Sequence, residues 1–322
     1  MKPQIQRVDI REYDPEHFRS VVDGADLEHT FLAPGLCTAT VYRVQTARLA
    51  MDSGLYRFPV GTSGAFAPGR ISIGFTWGHA SESWVNGFET NATRLVIFSE
   101  GSDLMYRAQQ ETGWTVIGIN RQQLQEQAMK SLGRELLLPD LGTIGLNVPM
   151  ELLDRLVKGV LSSGDHLRER PGDMGIVDQQ IVQLCVELIA AGESERGGDV
   201  ERRARDRFQT IRRADQAMRH LIGSGYSSDR LCRSIGVTER TLQLVFKESF
   251  GVNPKAWFHR IALSRAHVAL LTRPYHKGLV TEVALDFGFE HFGRFSQSYR
   301  ELFGRSPSET VRSRYGGGLS AG

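Results

Sequence analysis

Cysteine is scarce in this chain. Only Cys37, Cys185 and Cys232 occur, far apart and odd in number. That excludes a disulfide framework and the close ligand spacing of a structural zinc site, and it suits a reducing cytoplasm. No uninterrupted apolar run approaches the ~20 residues that cross a bilayer. The opening residues, Met1-Lys-Pro-Gln-Ile-Gln-Arg7, lack an apolar signal core, so the expected location is cytoplasmic and no membrane contact is expected. Nucleophile elbows, phosphate-binding loops and dinucleotide fingerprints are also missing. Catalysis is therefore not expected, and no cofactor is implied. The Asn91-Ala-Thr93 triplet has no meaning as a glycosylation site in such a compartment.

What the chain does have is charge, unevenly placed. Residues 200–322 carry 21 Lys and Arg against 11 Asp and Glu, a balance of +10. The formal total is +2, so residues 1–199 hold −8. Positive charge gathered in one part is the footprint of a polyanion-binding domain. The length of 322 residues allows two domains with separate cores.

A pattern repeated within the basic part says how a polyanion would be met. Leu231-Cys-Arg-Ser-Ile-Gly236 is an apolar helix ending at a turn glycine. An amphipathic helix follows with Leu242, Phe246 and Phe250 inward, then Gly251 and Pro254. The order recurs with Val283, Ala284, Gly288, Phe295, Tyr299, Phe303, Gly304 and Pro307. This is the layout of two helix-turn-helix units. Residues 254–271 form a helix between them, with Trp257, Phe258, Ile261, Val268 and Leu271 able to bury against both. If both second helices enter successive major grooves, they lie about 34 Å apart.

The outward residues of those second helices suit DNA. Arg240 and Gln243, and later Arg294 and Gln297, can pair bidentately with guanine and adenine edges. Thr238 fits the N-cap of the first such helix. Lys247 is placed for phosphate. In the second unit His291 and Arg300 suit helix capping or backbone contacts. Gly293 lowers helix propensity by roughly 1 kcal/mol relative to Ala, which either a close approach to DNA or simple tolerance explains.

Residues 208–314 resemble the AraC/XylS family of transcription regulators. The likeness is strongest over Ala284-Leu-Asp-Phe-Gly-Phe289 and Phe295-Ser-Gln-Ser-Tyr-Arg-Glu-Leu-Phe-Gly-Arg-Ser-Pro307. The resemblance implies two helix-turn-helix subdomains joined by a long helix. It places base contacts on Arg240, Gln243 and Leu244, and on Phe292, Gly293, Arg294 and Gln297. Leu244 departs from the polar residue usual there; a thymine methyl is its expected partner. The resemblance further implies promoter DNA, a small effector, an activator in contact with RNA polymerase, and a homodimer.

The first half reads as strands punctuated by glycine. Residues 36–44, 47–60, 71–75, 94–99 and 114–119 are the expected strands. They suggest a sandwich or barrel, and the family likeness favours a cupin-like β-barrel sensor. Helices are expected at 122–132, from Pro149 onward, and over Met174–Ala190. The last has an apolar stripe that needs a partner, either its own barrel or a second copy. The expected organisation is a multidomain α+β chain. Residues 1–195 form the sensor, β-rich over 5–120 and helical over 121–191. Residues 192–200 are a linker, 201–315 the all-α DNA-binding domain, and 316–322 a tail.

The effector is the least legible part. Arg7-Val-Asp-Ile-Arg11, expected on a loop before the first strands, resembles the arginine element of PilZ domains. Two such arginines can grip phosphates, which makes cyclic di-GMP one candidate ligand. The companion element has only a loose counterpart at Gly61-Thr-Ser-Gly64. Two other readings compete. One is an architectural DNA-binding protein without effector. The other is a cupin-type metalloenzyme, although His17, His29 and His79 include no His-x-His pair.

Overall fold

The computed structural model describes residues 3–11, 15–34, 38–78, 83–193 and 198–315. Cys37 and His79 lie outside them, as does the side chain of His17. The chain divides into two compact units. One is drawn from Met1–Glu28, Cys37–Phe58 and Thr62–Arg205, the other from His29–Leu36, Pro59–Gly61 and Asp206–Gly322.

The strand-rich half runs β1 (Gln4–Ile10), α1 (Pro15–Arg19), β2 (Asp26–Phe31), β3 (Ala39–Gln45), β4 (Leu49–Tyr56), β5 (Val60–Ala65) and β6 (Ile71–Gly78). It continues with β7 (Ser83–Val85), β8 (Phe88–Thr90), β9 (Arg94–Phe98), β10 (Asp103–Ala108), β11 (Thr112–Ile119), α2 (Arg121–Leu132), β12 (Thr143–Asn147), α3 (Met150–Glu169) and α4 (Met174–Glu193). Seven strands pair in the order β1-β3-β4-β11-β6-β9-β12, and five in the order β2-β5-β10-β7-β8. Each sheet therefore ends in unpaired borders. Among the described residues the strands form two open antiparallel sheets, and the pairing does not bear out the expected closed barrel.

Register explains where the core lies. Ile117 stands opposite both Met51 and Ile73, and Ile73 opposite Ile97. Side chains alternate between the two faces of a strand, so these residues share one face of the seven-stranded sheet. That face is roofed by α2, α3 and α4, with Leu124, Leu156, Ile181 and Leu188 in the same buried cluster. The opposite face carries Asp52, Ser72, Thr76, Trp114 and Val116. There Asp52 pairs with Arg43 at 2.6 Å and accepts from the Asp23 backbone N–H at 2.7 Å. Burial nevertheless pushes its carboxyl up to about 6.

The apolar stripe of α4 has found its partner inside the chain. Val177, Ile181, Cys185, Leu188 and Ile189 are buried in the core shared with α3 and the sheet. Asp178 is also buried in this helix, where it accepts from Thr46 Oγ1 at 2.7 Å. This segment is long and apolar enough to cross a membrane by length and composition alone, as core helices often are, and 44% of its most apolar window is buried inside the protein. An 18-residue window within Pro171–Glu193 reaches a mean hydropathy of 1.3. The scattered Asp, Gln and Glu of this helix hide that average from a search for uninterrupted runs.

The placement of Arg7 is also corrected. It belongs to β1, opposite Tyr42, not to a loop. Its guanidinium lies 5.1 Å from the Tyr42 ring centroid and 3.3 Å from Asp9. Arg11 follows the strand and is exposed. The polar, solvent-facing residues of this border strand mask the alternation that would have marked it.

The helical half contains α5 (Gly198–Leu221), α6 (Ser228–Ile235), α7 (Glu239–Phe250), α8 (Pro254–Thr272), α9 (Leu279–Asp286), α10 (Phe292–Phe303) and α11 (Pro307–Tyr315). The division between the units falls inside α5. Residues 194–197 of the expected linker lie outside the described residues.

Candidate nucleic-acid interface

Each of the two helix pairs is built by local chemistry. In the first, Ser227 caps α6 by accepting from the Arg230 N–H at 3.3 Å. Gly236 ends α6 with φ 69°, a conformation that glycine adopts without penalty. Thr238 then caps α7, accepting from the Thr241 N–H at 3.2 Å, as its position predicts. Leu242, Phe246 and Phe250 are buried behind α7. Arg240, Gln243, Leu244 and Lys247 are exposed. Their spacing of three, four and seven residues puts them on one helical face.

The second pair repeats this with differences. Gly288 turns the chain at φ 80°. Phe295, Tyr299 and Leu302 are buried behind α10. His291 occupies the N-cap position but makes no side-chain cap bond. Arg294, Gln297 and Arg300 are exposed. Gln297 donates to Glu301 at 2.9 Å, a bond that base recognition would have to exchange. Arg300 lies 3.9 Å from Glu309, a loose pair. Phe292 is 44% exposed and Leu244 54%, so both apolar contacts implied by the family likeness are open to a partner.

Gly293 is informative because nothing surrounds it. A Cβ built there meets no atom within 4 Å. Packing within the protein therefore does not demand glycine. Gly293→Ala should stabilise the free protein by up to about 1 kcal/mol. If DNA backbone comes close to this position, the same change weakens DNA binding. A thermal melt and a DNA titration on the same variant separate the two effects.

The helix joining the units is buried nearly all round, from Trp257 and Phe258 to Ala269 and Leu270. Val268 and Leu271, expected in that core, are only half-buried. Trp257 Nε1 donates to Asp215 at 2.9 Å, and Arg219 Nε meets the same carboxylate at 2.6 Å. Further along, His267 Nδ1 bonds the Tyr299 hydroxyl, which donates to Thr310 Oγ1 at 2.9 Å. His267 also stacks on Phe303 with ring centroids 4.2 Å apart. The sequence gives no hint of this network, because its members lie 32 and 11 residues apart.

A family model described as a helix-turn-helix domain matches residues 231–313. The C-terminal part of this chain is an AraC/XylS-type DNA-binding domain. A XylDLEGF operon transcriptional activator of Pseudomonas putida is 31% identical to this chain over 103 residues, 32% of each. A probable thc operon regulatory protein of Rhodococcus erythropolis is 39% identical over 83 residues, 26% of this chain and 25% of its own. A solved structure, a probable AraC family transcriptional regulator from Rhodopseudomonas palustris, is 29% identical and covers 33% of this chain and 97% of its own, with a TM-score of 0.30. The match spans about a third or less of the length of the two curated relatives.

Proposed function

We propose that this chain is a cytoplasmic transcription regulator that reads promoter DNA with α7 and α10 and answers to a small effector held by its strand-rich unit. One observation carries the DNA-reading part. Two helices of the same motif each present an Arg and a Gln, three residues apart, to solvent within a stretch of net charge +10. Such pairs suit guanine and adenine edges in the major groove. Base reading is assigned to Arg240, Gln243, Arg294 and Gln297, with Leu244 against a thymine methyl. Backbone contact is assigned to Thr238, Lys247, His291 and Arg300. The P. putida relatives are described as transcriptional activators, which favours activation, and with it contact to RNA polymerase, over repression.

The test compares two substitutions on specific and random DNA over a range of salt. Arg294→Ala should lose about 1–3 kcal/mol of discrimination at one base pair. Equal weakening on both DNAs would remove its reading role. Lys247→Ala should weaken both DNAs alike and flatten the salt dependence by about one unit of slope. An architectural protein would instead show little preference for promoter over random DNA with the unaltered chain.

Effector binding is the second part of the proposal. Arg7 and Arg11 are the candidates for an anionic ligand such as cyclic di-GMP. Arg7 would have to exchange Asp9 for a phosphate. The homodimer expected from the family likeness would use a surface other than the buried stripe of α4.

A further inference from the structure

The strand-rich unit contains a cavity lined by eighteen residues, among them Phe98, Tyr106 and Trp114. None of the eighteen carries a charge. The space that the centre of a water-sized sphere can reach is about 60 Å³. A water needs roughly 10–15 Å³ by that measure, so a compact organic molecule fits and a dinucleotide does not.

The lining is apolar but not uniformly so. Thr62, Thr76 and Thr90 all border the cavity, each at most 5% exposed. The side-chain hydroxyl of each is buried without a hydrogen-bond partner among the described residues, as is Trp114 Nε1. Buried polar groups are almost always partnered. Four unpartnered ones around a single cavity mark places where a bound molecule would supply what the protein does not. Burial also holds the Tyr106 phenol well above its usual range, so it stays protonated and uncharged.

From these observations we infer that the cavity bordered by Thr62, Thr76, Thr90 and Trp114 binds a compact, uncharged, largely apolar molecule bearing at least one hydroxyl or similar hydrogen-bonding group. The absence of a charged side chain in the lining argues against any anion, because an ion stripped of water needs a partner charge. The inference rests on the effector reading above only for its regulatory meaning and departs from it in the site and the charge of the ligand. It places the ligand away from Arg7 and Arg11, which are not among the lining residues.

The test uses the full chain with phenol, benzene and benzoate as probes, read by calorimetry and by tryptophan fluorescence, to which Trp114 contributes. Phenol should bind about tenfold or more tightly than benzene, since it can partner a hydroxyl that benzene leaves bare. Benzoate, ionised at neutral pH, should not compete with it, nor should cyclic di-GMP. The triple variant Thr62→Val, Thr76→Val, Thr90→Val keeps the shape and removes the hydroxyls. In it the preference for phenol should collapse while benzene still binds, which also shows that the variant is folded. Absence of phenol binding, or an unchanged phenol preference in the triple variant, overturns the assignment. A parallel DNA titration with phenol present distinguishes the two levels. Binding of phenol without any change in DNA affinity upholds the cavity and overturns effector control.

Discussion

Trp257→Ala is expected to cost the helical unit about 3–5 kcal/mol, the range for removing a buried aromatic side chain. The indole is 1% exposed and stacks on Phe250 with ring centroids 3.9 Å apart. Two losses combine. The cavity left behind is bordered by Phe246 and Phe250, which are themselves buried behind α7. The Asp215 carboxylate, buried at 3% exposure, also loses the indole N–H. Trp257→Phe isolates the second loss, since it keeps a ring and drops the donor. It should cost about 1–3 kcal/mol. Asp215 retains Arg219 in that variant, which sets the lower end. Urea unfolding of the two variants beside the unaltered chain measures both figures. Equal stability of the Phe variant and the unaltered chain would mean that the Asp215 bond contributes nothing net.

Acid should loosen the same unit through His267. Burial, and secondarily Arg305, hold this imidazole down at about 3 in the folded chain. An exposed histidine titrates near 6.5. Between those values the unfolded chain binds a proton that the folded chain refuses. Stability is therefore complete above about pH 6.5 and falls as pH drops towards 3. The slope is about 1.4 kcal/mol per pH unit for one such group. Going from pH 6.5 to 5 should thus remove about 2 kcal/mol, and the full loss is on the order of 4–5 kcal/mol. Hydrogen exchange over α8 and α10, corrected for the intrinsic effect of pH, reads this locally. His267→Gln should flatten the pH dependence whatever it does to the absolute stability. A slope unchanged by that substitution would place the acid sensitivity elsewhere.

The helical half was legible for a definite reason. Its turn glycines, caps and apolar spacings are local, so Gly236, Thr238 and Gly288 could be read in place and stand where they were read. The strand-rich half was legible only where strands are apolar. β6, β9 and β11 announced themselves with Ile, Val and Phe. β1, β2 and β10 did not, because Gln, Arg, Asp and Glu break the alternation. β7 and β8 are three residues each, too short for any periodicity. β12 hides in a stretch rich in glycine. Closure into a barrel rested on glycine-punctuated strands and on the family likeness, and neither fixes which strands pair. The His267–Tyr299–Thr310 chain and the cavity were invisible for another reason. They exist only through residues brought together by the fold, and a single sequence carries no trace of which distant positions meet.

The unpaired borders of the two sheets have one further consequence. A strand with a free edge offers its N–H and C=O groups to any other extended chain, which is how ordered aggregates begin. β1 lies at such a border and, among the described residues, pairs only with β3. Its sequence, Gln4-Ile-Gln-Arg-Val-Asp-Ile10, sets polar or charged side chains on most of its exposed positions. Lining up a second copy against it would bury the Arg7–Asp9 pair and strip water from both groups. The same arginine that looked like a ligand grip thus has a humbler use already, keeping a crowded solution of these molecules from knitting together edge to edge.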